Sequence, residues 1–213
     1  MPARNLLRTV TVAAAVLYIA GAAALGTLPK GDDDGNKVVA WFNDHHGNVR
    51  AWLLFTVLSA LAFAWFACLI RGRLPAPHRD LFFFGAIAFA AETAVEAWLL
   101  GGLAWHHAQL DPATARTILD IASFWGPVLI STTVLFLAPV TWLSWRGEAG
   151  LPKWLGIVTG LALIEQLVEL ITLFGDSGFI EPGGGMNVLL GAAATLIALV
   201  AIGFGLPAEA DSN

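Results

Sequence analysis

Four glutamates lie in pairs inside two apolar stretches of the chain, and they are the residues best suited to chemistry. Glu92 and Glu96 are four residues apart, as are Glu165 and Glu169, and no lysine or arginine stands beside them. A spacing of four residues places both members of a pair on one face of a helix. A carboxylate at membrane depth is costly and therefore indicates a functional site by default. Such a group is suited to binding a cation, relaying protons or donating a proton to a lipophilic substrate.

The composition places these glutamates in a membrane protein. Of the 213 residues, 57% are hydrophobic and 13% are charged, whereas soluble domains contain about 25% charged residues. Several apolar stretches approach the ~20 residues needed to cross a bilayer. We predict an all-α, polytopic helix bundle with six transmembrane helices, forming a single domain over residues 1–213 in the lipid bilayer. The net charge of -5 and the lack of a basic patch give no indication of a nucleic-acid partner.

Hydrophobic runs and their breaks set the expected boundaries of the spans. The six spans are predicted at about 7–28, 49–71, 80–104, 114–146, 153–175 and 186–206. The fourth is long for a single crossing and contains Pro127, so we expect a kink there or an overhang beyond the interface. The polar connections over 31–48 and 175–185 are predicted to be loops. A cleaved signal peptide is the alternative for the first span, although its apolar core exceeds the 7–15 residues usual in such segments.

The basic residues predict the orientation of the bundle. Seven lie on one side and four, diluted by acidic residues, lie on the other. The seven are Arg4, Arg8, Arg71, Arg73, Arg79, Arg146 and Lys153. Because lysine and arginine accumulate in cytoplasmic loops, we expect a multi-pass protein of the cell membrane with both termini in the cytoplasm.

The predicted topology brings the two glutamate pairs to one depth. Spans three and five run in the same direction, and each pair lies 12 and 16 residues beyond a charged residue, Asp80 or Lys153. These separations correspond to roughly 18 and 24 Å in a hydrocarbon core of about 30 Å. If the two helices are neighbours, four carboxyls meet in the outer half of the membrane, where they cannot all carry charge.

Four more residues extend this candidate site. Asp120 enters from the opposite direction and is expected near the level of the glutamates, with Arg116 one turn away as its partner. Trp98 and Trp125 lie within spans near the same level, and aromatic faces stabilise cations. With Glu92 or Glu165 as general acid, these rings would suit the isomerisation or cyclisation of a terpenoid. Lipid-facing or core packing is the favoured interpretation for both tryptophans.

A structural role is the alternative for the glutamates. Glu92 and Glu165 would then be neutral acids that join helices by hydrogen bonds to Thr93, Gln166 or the backbone. Glu96 and Glu169 would face a water-filled vestibule. The sequence leaves both interpretations open and identifies no cofactor.

Four histidines fall on the predicted outer side, namely His45, His46, His106 and His107. Together with Asp44 and Asp111 they would provide ligands for zinc or copper. Their spacing matches no stock metal motif. Adjacent histidines also point in different directions on a helix, so solvated or interfacial histidines are the favoured interpretation.

Two stretches resemble an uncharacterised family of small actinobacterial integral membrane proteins with six spans. The segment WFNDHHGNVRAWLLFTVLSALAFAWFACLIRG resembles the family's entry into span two. The segment DPATARTILDIASFWGPVLISTTVLFLAPVTWLSWRGEAGLPKWLGIVTGLAL resembles its span four, basic turn and span five, with DPATAR and LPKWLG the most specific pieces. The resemblance covers about two fifths of the chain. It implies the six-span architecture, draws attention to Asp111, Arg116 and Asp120, and supplies no mechanism; ETAVE and EQLVE are not features of that family.

Overall fold

Helices account for most of residues 3–207, the part of the chain that the computed structural model describes, and no strand occurs in this range. The α-helices are α1 (Ala3–Leu25), α2 (Gly35–Arg71), α3 (His78–Trp105), α4 (Pro112–Ser123), α5 (Trp125–Arg146), α6 (Lys153–Glu169) and α7 (Ala192–Gly205). Short 3-10 turns lie at His107–Gln109, Leu170–Phe174 and Gly178–Ile180, and a π-helical turn at Met186–Gly191 precedes α7. Six segments are long and apolar enough to cross a membrane. The predicted all-α bundle with six transmembrane helices is confirmed.

Each spanning segment packs against the next one in the chain. Helix α1 packs on α2, α2 on α3, α3 on α5, α5 on α6 and α6 on α7, which returns to α1. The guanidinium of Arg8 lies over the ring of Phe204, 5.3 Å from its centroid, so the first and last helices meet near the two ends of the described chain. We call this end of the bundle the terminal end and the opposite one the distal end.

Two apolar cores fill the bundle at different levels. The core nearer the terminal end joins all six spans through Leu7, Phe66, Phe82, Phe136, Leu155 and Ile202. The distal core joins α2, α3 and α4 through Val38, Phe42, Trp52, Leu100 and Leu119. On α3 the two glutamates lie between the residues that enter one core and those that enter the other. Burial of apolar surface therefore fixes the helices above and below the candidate site.

Helix α2 begins much earlier than the predicted span. It starts at Gly35, so the prediction of a loop over 31–48 is wrong beyond Asp34. The Asp34 side chain caps the helix by accepting a backbone N–H. Val38 and Phe42, one turn apart, are fully buried in the distal core, and this burial sustains the extension. A helix of 37 residues is about 55 Å long and therefore projects beyond a hydrocarbon core of about 30 Å.

The long fourth segment is two helices rather than one. Helix α4 ends at Ser123 and α5 begins at Trp125, so the expected kink near Pro127 takes the form of a break at Phe124. Proline has no N–H, and its ring crowds the carbonyl four residues earlier, which here belongs to Ser123. The break follows from this missing hydrogen bond.

Gly85 marks a close approach of α3 to α5. An added Cβ would lie 2.7 Å from both the Leu135 Cβ and the Phe136 nitrogen. We expect Gly85→Ala to push the helices apart and to cost about 1–3 kcal/mol. Gly102, on the same helix, has nothing within 4 Å of an added Cβ, so Gly102→Ala should be neutral or stabilising by up to about 1 kcal/mol. Thermal unfolding of both variants in detergent tests this; equal stability would contradict the close approach.

Candidate functional site

Glu169 is held by two amides near the end of α6. Its side chain is 3% exposed. One carboxyl oxygen accepts a hydrogen bond from Nε2 of Gln166 at 2.7 Å, and the other accepts one from Nδ2 of Asn187 in the π-helical turn. An amide nitrogen can only donate, so both oxygens act as acceptors. Two neutral amides thus occupy both oxygens of this buried carboxyl.

Two glycines make room for this group. An added Cβ at Gly191 would lie under 3.0 Å from both oxygens of Glu169, and one at Gly126 would collide with the Asn187 side chain. Gly191 is the last residue of the π-helical turn, and such turns occur frequently at functional sites. The backbone of α5 therefore approaches the Asn187 amide as closely as glycine permits, and the backbone of the π-helical turn approaches the Glu169 carboxyl in the same way.

Gln166 also links the two glutamates of α6 to each other. Its Nε2 donates to Glu165 at 2.9 Å as well as to Glu169. Glu165 is partly buried, and its second oxygen is enclosed with no hydrogen-bond partner within the described chain. A buried polar atom without a partner costs free energy. Glu165 and Glu169 thus share the amide of Gln166, and one oxygen of Glu165 remains without a donor.

The two glutamates of α3 have different surroundings. Glu92 is hydrogen-bonded to the Thr132 hydroxyl of α5 at 2.8 Å. Glu96 is 8% exposed, and its carboxyl has no hydrogen-bond partner among residues 3–207. Glu92 therefore joins two helices, whereas Glu96 is buried without a hydrogen-bond partner in the described part of the chain.

Tyr18 of α1 lies within electrostatic range of both Glu96 and Glu169. It shares a helix face with the buried residues Thr11 and Gly21. The Tyr18 side chain is nevertheless 37% exposed. Tyr18, Glu96 and Glu169 therefore lie near one another, on α1, α3 and α6.

The two tryptophans do not enclose the glutamates. Trp98 is only two residues from Glu96, so it points to the other side of α3, where it is 73% exposed. Trp125 lies partly buried at the start of α5. An apolar cavity of about 240 Å³ between α3 and α5 is lined by His78 and Trp142, near the terminal end. Trp98 therefore lines no pocket beside Glu96, because helix rotation directs its ring outward, as the favoured lipid-facing interpretation requires.

Asp120 and Arg116 form an ion pair at the distal end. Arg116 donates through Nη2 to Asp120, which is 51% exposed. Through Nη1 it donates to the backbone oxygens of Lys30 at 2.8 Å and Asp33 at 3.3 Å. The expected pairing is confirmed. Asp120 does not reach the level of the glutamates, because α4 is held in the distal core beyond them by Leu119 and its neighbours.

The four histidines at the distal end do not assemble into a metal centre. The rings of His46 and His107 stack with centroids 3.9 Å apart, whereas His45 stacks on Trp41 and His106 is exposed at the end of α3. Within residues 3–207, no three side chains of histidine, cysteine, aspartate or glutamate are arranged to hold a metal ion. The alternative of a zinc or copper site is therefore not formed in this range, because His46 stacks on His107 while His45 stacks on Trp41.

Two aspartates at the distal end stabilise local structure. Hydrogen bonds from the Lys37 ammonium and the Lys30 backbone N–H hold the pKa of Asp33 below its ordinary value. The backbone N–H and hydroxyl of Thr114 likewise lower the pKa of Asp111, which caps α4. A lowered pKa means that this stabilisation is present above the usual carboxyl range and is lost on acidification. Asp111 is therefore a helix cap here.

Three residues of the site were not selected from the sequence. Tyr18 is the only tyrosine of the chain, and Asn187 is a polar residue just inside the last apolar segment. Thr132 lies in the middle of span four. A search for every polar side chain inside the predicted spans would have found all three, since such residues are rare at membrane depth.

Comparisons of the chain with protein-family models, with curated proteins and with solved structures found no match. The class of the protein is therefore defined by its own structure. The six-span bundle and its intramembrane polar side chains make it a multi-pass membrane protein with buried carboxyls.

Proposed function

We propose that the intramembrane carboxyls of this protein bind a proton or a cation, as part of transport or sensing. The observation that carries the proposal is Glu96, which is 8% exposed and has no hydrogen-bond partner in the described part of the chain. An unpaired carboxylate inside a membrane protein is costly. Uptake of a proton or a cation removes that cost.

Hydrogen bonding between helices accounts for only part of the polar residues. Glu92 joins α3 to α5 through Thr132, and Glu169 joins α6 to the π-helical turn through Asn187. Both contacts are of the kind that stabilises helix association in membranes. Glu96 makes no such contact, so helix association does not explain its presence.

The neighbours of Glu96 supply a suitable set of ligands. Tyr18 and Glu169 come from two other helices and lie within electrostatic range of each other. A carboxyl, a second carboxylate and a phenolic hydroxyl together offer oxygen acceptors and a proton donor. This set suits a small cation with oxygen ligands or the transfer of a proton between carboxyls.

The orientation forms part of the proposal. The excess of arginine and lysine at the terminal end supports a cytoplasmic location for both termini in the cell membrane. The glutamates then lie in the outer half of the bilayer. Membership of the small actinobacterial six-span family is compatible with this arrangement and remains a hypothesis.

A ligand-dependent change in thermal stability tests the proposal. A ligand that binds only the folded protein stabilises it, by about 2.7 kcal/mol when its concentration is 100 times its Kd. We expect the unfolding midpoint of the purified protein to depend on pH or on sodium, and Glu96→Gln to remove the sodium response and to reduce the pH response; the part of the pH response that comes from Asp33 and Asp111 should remain. Glu148→Gln, which changes a 47% exposed glutamate at the terminal end, is the matched control. A wild-type midpoint unmoved by pH, sodium or zinc would refute the proposal.

An enzyme acting on a lipophilic substrate, such as a terpenoid isomerase or cyclase, has less support. Glu92 or Glu165 would act as its general acid, but Trp98 faces away from both pairs. The residues that line the apolar cavity between α3 and α5 include no carboxyl. We therefore favour binding of a proton or a cation.

A further inference from the structure

Asn187 connects Glu169 to the connection between α6 and the π-helical turn. The Asn187 side chain is 1% exposed. Its Nδ2 donates to Glu169, and its Oδ1 accepts the Gly183 N–H at 2.8 Å. A single amide is therefore held by the carboxylate at one side and by residues 175–185 at the other.

The connection over 175–185 lies across the distal end of the bundle. The carboxyl of Glu181, which is 9% exposed, accepts the Gly31 N–H of the α1–α2 connection at 3.2 Å. Gly183 adopts a φ of +73°, and an added Cβ there would lie 3.2 Å from the backbone oxygen of Ser123 at the end of α4. The segment thus bridges the α1–α2 connection and α4, over the side of the bundle that holds the carboxyls.

Few hydrogen bonds hold this segment in place. Apart from the 3-10 turn Gly178–Ile180, it has no regular structure. Its last residues are held by three bonds: the Gly184 N–H donates to the Glu181 carbonyl at 2.8 Å, the Gly184 carbonyl accepts the Val188 N–H at 3.0 Å, and the Gly183 N–H donates to Asn187. Segments with few buried contacts and few hydrogen bonds open at low free-energy cost. Loss of the Asn187 contact should therefore have a measurable effect.

We propose that Asn187 couples the charge of Glu169 to this connection, so that neutralising Glu169 loosens residues 175–185. An N–H donates more strongly to a carboxylate than to a neutral carboxyl. When the carboxylate is neutralised, Asn187 is held less firmly, and the Gly183 N–H loses a well-placed acceptor. The inference rests on the proposed function in one respect, that the carboxyls of this site exchange a proton or a cation.

The groups that face Glu169 are few. Glu165 shares Gln166 with it on α6, Tyr18 approaches from α1, and Glu96 of α3 acts on the same tyrosine. Helix α5 has only Arg146 as a charged residue, at its opposite end, and the last segment, Met186–Gly205, has none. No cation therefore competes with Asn187 for the carboxylate from these helices.

Hydrogen exchange measured by mass spectrometry tests the coupling. Peptides covering 175–185 are compared in the wild type and in Glu169→Gln over a pH series, with each rate normalised to that of the unfolded peptide. We expect exchange in Glu169→Gln to be roughly tenfold faster at neutral pH and independent of pH. The wild type should approach that rate on acidification. Glu165→Gln, which neutralises the neighbouring carboxyl, should keep the pH response.

A second variant separates loosening from misfolding. Asn187→Leu removes both bonds and should match Glu169→Gln in 175–185, while peptides of α5 keep the wild-type rate in both variants. Equal exchange of 175–185 in the wild type, Glu169→Gln and Asn187→Leu would overturn the inference. If that occurs while the unfolding midpoint still depends on pH or sodium through Glu96, the proposed function stands without the coupling. If Glu169→Gln accelerates exchange while no ligand moves the wild-type midpoint, the coupling stands and the proposed function fails.

Discussion

Replacing Asn187 by aspartate is expected to destabilise the protein by about 3 kcal/mol, and Glu169→Gln added to it is expected to restore most of that loss. Asn187 and Glu169 are 1% and 3% exposed. The substitution keeps the shape of the side chain but sets a second carboxylate against the first. Breaking a buried ion pair in a soluble protein, which leaves one charge uncompensated, costs about 3–5 kcal/mol. Individual hydrogen bonds between membrane helices contribute less, about 0.6 kcal/mol on average, which places the expected effect at the lower end of that range.

The double variant exchanges the amide and the acid. The donor then lies on α6 and the acceptor on the π-helical turn, and the Gly183 N–H still meets an oxygen at position 187. Unfolding in detergent at neutral pH measures both variants. Asn48→Asp is the matched control, because Asn48 is exposed and donates to the Ala24 carbonyl at 3.0 Å. If the losses of stability caused by the two substitutions add in the double variant, so that Glu169→Gln restores nothing, a direct bond between Asn187 and Glu169 is contradicted.

Gly191→Ala is expected to cost about 1–3 kcal/mol, although alanine is ordinarily preferred to glycine in a helix. The added Cβ would lie under 3.0 Å from both carboxyl oxygens of Glu169. The carboxyl must therefore move and weaken its bonds to Gln166 and Asn187. Thermal unfolding of the variant in detergent measures the loss, and Gly102→Ala shows the effect of alanine where space is open.

A double-mutant cycle identifies the cause of this loss. In a Glu169→Ala background the colliding atoms are absent, so Gly191→Ala should become neutral or slightly stabilising. The same penalty in both backgrounds would show that the π-helical turn, and not the carboxylate, requires glycine at position 191.

The number of spans could be predicted from the sequence because long apolar runs between polar connections have few other solutions. The extension of α2 toward Gly35 could not be predicted from the sequence. Residues 35–48 are rich in polar side chains, and the two apolar residues Val38 and Phe42 indicate a helix only once the distal core against which they pack is known. An interruption of the helix was predicted from Pro127. The break lies instead at Phe124, next to the carbonyl that proline leaves without a donor.

The candidate site was predicted in its residue types more than in its contacts. The glutamate pairs are conspicuous because acidic residues are rare in apolar helices. Their partners depend on the order of helices around the bundle, in which α5 packs between α3 and α6. Glu92 consequently meets Thr132 of α5, and Glu169 meets Asn187. The spacing of residues along the chain does not contain that order. Nor does it give the position of α1, which brings Tyr18 near Glu96 and Glu169.

Infrared difference spectroscopy of the carboxyl groups tests most directly whether Glu96 takes up a proton or a cation. The protonated-carboxyl band of the purified protein is followed through steps of pH and of sodium concentration, in the wild type, Glu96→Gln and Glu148→Gln. We expect a band that changes with pH or sodium in the wild type and in Glu148→Gln, and that is missing in Glu96→Gln. An identical response in Glu96→Gln and the wild type, or no response in the wild type, would contradict a ligand-binding role for Glu96.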